Sequence, residues 1–318
     1  MPEDKIPALK TLTGFTMTTL VDNYTDVLLD NGRYVKRSSR IRKDGQRRAP
    51  LLAEHGLSFL IEIEDDSERH TIMMDFGLSN IAVPHNIAAL EMNLDNVETF
   101  IISHGHHDHV GSVKEVLTSI PAPKEVVIHP GAFREERMYI LGDGAHIPSP
   151  SLKRSKLEPL GCPIVEITSP KILANGYMAT LTTIPRVTDF EKGMPNAYYR
   201  QGNQLYKDDI LDDQGFVVHI KGKGLVIVTG CGHSGIINTI LYAQQITGVH
   251  EIFAVIGGFH LSGSYFAPVI PPTIEEMRKF SPSVLVPTHC TGWKAMTAFE
   301  REFPDAFILN SVGAKIVI

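Results

Sequence analysis

The sequence predicts an α/β fold in which two β-sheets pack against each other with helices outside. Three observations lead there. Hairpin-like strand pairs occur in both halves of the chain, and each pair is followed by alternating helix and strand patterns. Short apolar strands also run straight into turns that carry histidine. With 318 residues, 43% of them hydrophobic and 21% charged, the chain has the apolar content for a sizeable core. One unit spanning residues 1–318 is expected, with a lid or insertion near 135–162.

Taken in order, residues 16–21 are β-branched and read as a strand that ends in the turn cluster Asp22-Asn23-Tyr24-Thr25-Asp26. Residues 33–48 are rich in Lys and Arg and read as a solvated surface loop. Residues 57–64 and 71–74 form a hairpin that stops at Asp75-Phe76-Gly77. Helical apolar spacing covers 81–92, and 99–102 is a strand entering His104. A helix over 110–117 and a buried strand over 125–128 follow. Residues 142–161 carry Gly, Pro and Ser beside Lys153, Arg154 and Lys156, and read as a loop able to cover a site. The second half gives a hairpin (216–220 with 225–229), helices over 234–247, 271–280 and 293–303, and strands over 251–256, 284–286 and 315–318.

Bulk properties narrow the function. A net charge of −6 argues against nucleic-acid or membrane partners, which call for a basic surface, and leaves room for a local pocket that holds a small anionic substrate. Cys162, Cys231 and Cys290 are too few, and odd in number, for a disulfide scaffold. Residues 1–10 carry charges, Pro2 and Pro7 rather than the apolar core of a signal peptide. No apolar run approaches the roughly 18 residues of a membrane span. The expectation is a cytoplasmic protein; homo-oligomerisation is left open.

The strongest local feature is Ser103-His104-Gly105-His106-His107-Asp108-His109. Several unpaired imidazoles at one strand end are costly to bury and natural around a divalent cation. In this spacing His104 and His106 can grip one cation, while Asp108 and His109, opening the next helix, reach a second. Two cations about 3.5–4 Å apart can clamp both the attacking and the leaving oxygen of a displacement. Further ligands must come from later strand ends. His233, in Cys231-Gly232-His233-Ser234-Gly235, and His289, in Thr288-His289-Cys290, are the candidates. Cys231 is a thiolate ligand, a supporting residue or a small buried hydrophobe. His260, after Gly257-Gly258-Phe259, is read as facing substrate, with metal ligation as the alternative. His55 sits at the site edge or on the surface. Arg186 offers a rigid donor fork for an anion, or else an ion pair with Asp189 or Glu191.

H-x-H-x-D-H after a short strand, with Asp75-x-Gly77 upstream, resembles the metallo-β-lactamase fold superfamily. The resemblance implies a four-layer αββα sandwich of two mixed sheets. It also implies two divalent ions, zinc with iron or manganese as alternatives. Many members carry Gly-Asp where this chain has Gly230-Cys231, which leaves the bridging ligand and the metal's identity open. Asp22-Asn23-Tyr24, 54–58, 231–235 and 257–261 together resemble the 7,8-dihydropterin-6-methyl-4-(β-D-ribofuranosyl)aminobenzene-5′-phosphate synthase branch. The leading expectation is a binuclear hydrolase of a small anionic, phosphorylated molecule that uses a metal-bound hydroxide. Asp108 ligates, Asp75 orients a ligand, and Arg186 with the 153–156 loop holds the anion. The alternative is a synthase or transferase of methanopterin-type cofactor formation. A di-iron redox protein is disfavoured by histidines at 104 and 106, and a non-catalytic binding protein by the intact ligand set.

Overall fold

Strands alternate buried and outward residues, and pairing them edge to edge leaves two apolar faces that must meet. The computed structural model describes residues 5–318; the part of the N-terminal reading that falls on 1–4 lies outside the described residues. Among the described residues an eight-stranded sheet runs in the order Ile164–Glu166, Glu125–Ile128, Val97–Ile101, Arg69–Met74, Ser58–Glu64, Gly14–Val21, Lys315–Val317, Val35–Lys36. The second sheet runs Ile172–Leu173, Met178–Leu181, Gly215–Ile220, Gly224–Thr229, Ile252–Gly258, Val284–Thr288, and Thr11–Leu12 joins it along Gly215–Ile220. Both sheets are mixed.

Apolar residues segregate into three clusters that define the layers. One joins the two sheets, with Phe15, Met17, Ile61, Ile72, Phe216 and Val228 fully inside. A second packs the helices Ala82–Ala89 and Val113–Ser119 on the outer face of the first sheet. The third packs Ile236–Thr247, Ile270–Phe280 and Trp293–Glu302 on the outer face of the second. The result is the αββα sandwich.

Two expectations need correction. Asp108 and His109 do not open the α-helix: they lie on a separate 3-10 turn, His107–His109, and the helix begins only at Val113. Gly111 sits in between; a Cβ there would lie 2.1 Å from the Leu78 carbonyl, so the chain turns tightly against that neighbour. Residues 142–161 are not plain loop. His146–Ser149 pairs with Arg137–Ile140, which pairs with Ala197–Gln201 and through it Gln204–Lys207, in a small four-stranded sheet. Its two hairpins, 137–149 and 197–207, lie some 60 residues apart in sequence, so local pattern did not reveal their pairing. No helix among the described residues is long and apolar enough to cross a membrane.

Candidate metal centre

Six strands deliver their carboxyl ends to one edge of the sandwich. Asp22, Asp75, Ser103, Cys231, His260 and His289 each follow such an end within two residues. Asp75, His260 and His289 hold φ of 62°, 43° and 51°, a left-handed geometry that costs a non-glycine residue on the order of 1 kcal/mol or more and persists where surroundings impose it. Glycine is required inside the first histidine loop: a Cβ on Gly105 would lie 2.0 Å from the Ala132 carbonyl oxygen.

Two donor sets result. His104, His106 and His233 bring one ligand atom each within 4.8 Å of the others, and Asp108, His109, Cys231 and His289 do the same beside them. In the first set His104 Nε2 stands 2.9 Å from His106 Nδ1. In the second, His289 Nε2 is 3.3 Å from Asp108 Oδ2, and His109 Nε2 is 3.1 Å from Cys231 Sγ. The rings of His104 and His109 are 4.3 Å apart, so the sets adjoin.

Three of these imidazoles, His109, His104 and His289, are held from behind. Asp75 Oδ2 lies 2.6 Å from His109 Nδ1 and accepts from Ser103 Oγ at 2.7 Å, while its Oδ1 accepts from the Ser103 backbone N–H at 2.7 Å. Ser103 Oγ is 3.0 Å from His104 Nδ1, so His104 Nε2 is the nitrogen left for the cluster. Asn23 Oδ1 is 3.1 Å from His289 Nδ1. Asp22 accepts from the His289 backbone N–H at 3.1 Å and from Thr288 Oγ1, and Asn310 Nδ2 donates to it at 2.8 Å. The Gly105 N–H donates to Asp212 Oδ2 at 2.9 Å; Asp212 in turn pairs with buried Arg137 from the small sheet.

Electrostatics prepare the donors. Burial and the neighbouring imidazoles drive His104 and His233 well below the usual histidine range, and burial with Arg137 takes His106 down to about 3. These three present neutral lone pairs, the form that binds cations. Burial opposes charge on Asp108, but His109 and His289 outweigh it and hold the carboxylate ionised. Burial likewise opposes charge on His109; the Asp75 and Asp108 carboxylates reverse it and lift the ring to about 9. Both ring nitrogens of His233, and Nε2 of His289, are buried with no hydrogen-bond partner. Orphaned buried nitrogens beside an ionised carboxylate and a thiol are expensive unless a cation completes them, so the donor set fits divalent metal binding.

The remaining sequence candidates fall around this core. The His260 ring is 4.2 Å from that of His233, its Nδ1 is buried without a partner, and it also shares a third donor group with Cys231 and His233. His55 is on the exposed rim, its Nε2 3.9 Å from Asp108 Oδ2. Arg186 sits behind His233 and donates to the carbonyls of Asp209 (2.6 Å) and His233 (3.4 Å). Its alternative partners are engaged elsewhere: Asp189 pairs with Lys192, and Glu191 accepts the backbone N–H groups of Ile237 and Asn238. Lys153 and Lys156 are exposed, and Lys156 faces a separate pocket with Leu78 and His107. Sequence reasoning passed over Ser103, Asp22, Asn23, Asp212 and Arg137 as site residues. The available signal was Asp22, which ends a strand just as Asp75 does.

The family model described as the metallo-beta-lactamase superfamily matches residues 52–243. The chain belongs to that superfamily. Within it, the chain is 30% identical over 269 residues to the 7,8-dihydropterin-6-methyl-4-(beta-D-ribofuranosyl)-aminobenzene-5′-phosphate synthase of Methanocaldococcus jannaschii, covering 81% of this chain and 88% of the relative. It is 29% identical to a second, uncharacterised protein of the same archaeon, covering 92% and 99%. A crystal structure titled as Tm1679, a metal-dependent hydrolase of the beta-lactamase superfamily, superposes with a TM-score of 0.72 at 22% identity, covering 95% of this chain and 98% of that one. The metallo-beta-lactamase fold is thus shared along nearly the whole length.

Proposed function

We propose that the protein is a binuclear metal-dependent hydrolase of a small anionic, phosphorylated molecule. The observation that carries this reading is the pair of adjoining donor sets, His104/His106/His233 and Asp108/His109/Cys231/His289. Two divalent ions held there, zinc by donor type, would acidify water and polarise a phosphoryl or acyl oxygen. The chain's own groups do the rest. Asp75 and Ser103 hold His109 and His104 in one tautomer and orientation, and Asn23 does so for His289. A cleft beside His233 is lined by His260, Lys192, Phe190, Tyr265 and Phe266. It offers an imidazole and an ammonium to an anion and aromatic surface to its apolar part. His260 lines this cleft with its Nδ1 buried and unpaired, and would hydrogen-bond substrate or carry a proton to a leaving group.

His106→Ala tests this. The variant should lose bound metal and hydrolysis of phosphodiester or phosphomonoester probes together while keeping its circular dichroism spectrum; full activity in the metal-stripped variant would refute the mechanism.

The 30% identical relative favours a second reading, a synthase that joins a pterin to a ribofuranosylaminobenzene phosphate. The same centre would then steady developing negative charge without attack by water. Incubation with both fragments, followed by mass spectrometry for the joined product, separates the readings.

A further inference from the structure

The basic segment 33–48 is not used by the metal centre. It folds over the outer face of the eight-stranded sheet, beside the end of the helix Ala82–Ala89, and closes a pocket of about 350 Å³. Six basic side chains line it against one carboxylate, Glu91, in a chain of net charge −6. We propose that this pocket is a second, separate binding site, for a small polyanion with two or more adjacent phosphoryl groups.

Strand register supplies the first argument. Lys315 pairs directly with Thr18 on one side and Lys36 on the other. Directly opposed residues share a face, so the three stand abreast toward the pocket, while Met17, Ile316 and Val35 take the inner face. Two lysines directly opposite each other repel, and register could relieve this by setting an acid across from either one. Among the described residues neither lysine forms an ion pair.

The second argument is an unpaired hydroxyl. Thr18 is 1% exposed, lines the pocket, and its Oγ1 has no hydrogen-bond partner. A buried hydroxyl left unsatisfied is costly, and a phosphoryl oxygen would accept its hydrogen bond.

The remaining cations divide into structural and free. Arg37 donates to the carbonyls of Asp30 and Leu309 and to Ser311 Oγ, which fixes the segment. Arg42 and Arg48 lie 3.3 Å and 3.7 Å from Glu91 and neutralise it. That leaves Lys36, Lys43 and Lys315, three separate ammonium groups, which suits more than one phosphoryl group. A concave pocket walled by a sheet, a loop and a helix end favours a small ligand over a nucleic-acid strand. Thr18 precedes Asp22 by four residues, about 13 Å along the strand, so this ligand does not reach the metal centre.

The test is titration calorimetry of the metal-loaded full chain with inorganic pyrophosphate, comparing wild type with Lys36→Ala/Lys315→Ala. Both carry the same metal centre, so binding there is common to the two. Wild type should show an additional salt-sensitive event that weakens at least tenfold in the double variant, with probe hydrolysis unchanged. Lys36→Arg/Lys315→Arg, which keeps the charges, should retain that event. Identical isotherms for wild type and the alanine variant would overturn the proposal, as would an event seen with single-stranded RNA but not with pyrophosphate.

Discussion

Both carboxylate oxygens of Asp75 are engaged, with three hydrogen-bonding groups on Ser103 and His109. Asparagine keeps the shape but replaces one acceptor with a donor, so one of these contacts turns repulsive. Asp75→Asn should therefore weaken metal binding about 10- to 100-fold, read by competition with a chromophoric chelator. An unchanged affinity would show that Asp75 supports the backbone only. Asp75 was legible because it closes the hairpin that precedes the histidine strand, one helix upstream. Asp22 carried the same strand-end signal but its role did not show, and Asp212 carried none: their key partners lie 267 and 107 residues away, beyond any local pattern. Cys231 was legible as a strand-end residue, but its 3.1 Å approach to His109 Nε2 is a tertiary fact.

The helix Ile236–Thr247 starts directly after His233 from Gly235, which has no side chain to cap it. Glu191 serves instead, accepting from Ile237 N at 3.0 Å and Asn238 N at 2.8 Å. Burial pushes its carboxyl up to about 7 against the pull of those donors. The folded chain therefore keeps a proton that the unfolded chain releases near 4.5. This contribution to stability is complete below about pH 4.5 and is lost as pH rises through 7. Relative to Glu191→Gln, which does not titrate, wild type should lose about 3 kcal/mol across that window in urea unfolding. A pH-independent difference would mean that the carboxylate is ionised throughout. Most element types were legible from periodicity, because long amphipathic helices and alternating strands each satisfy one burial pattern. The short strands at 137–140 and 197–201 were missed: each belongs to a small polar hairpin, and the pairing that joins the two hairpins spans some 60 residues.

The assembled sandwich collects donors from both sheets at one edge: His104 and His109 come from the first, His233 and His289 from the second. Metal held there would link the two halves and stabilise only the folded chain. At a free concentration 1,000 times Kd it adds about 4 kcal/mol. Exhaustive chelation should lower the calorimetric melting temperature, and restoring zinc should recover it; an unchanged melting temperature would place the ions outside the folded core. The layer order was readable from the hairpin-then-alternation pattern in each half, whereas the precise meeting of strand ends needs the three-dimensional twist of both sheets. Three imidazoles form one pocket, whereas the other would add a sulfur to its oxygen and nitrogens. On the binuclear reading proposed above, a thiophilic ion such as cadmium would sort into the sulfur-bearing pocket first and leave a harder ion in its neighbour.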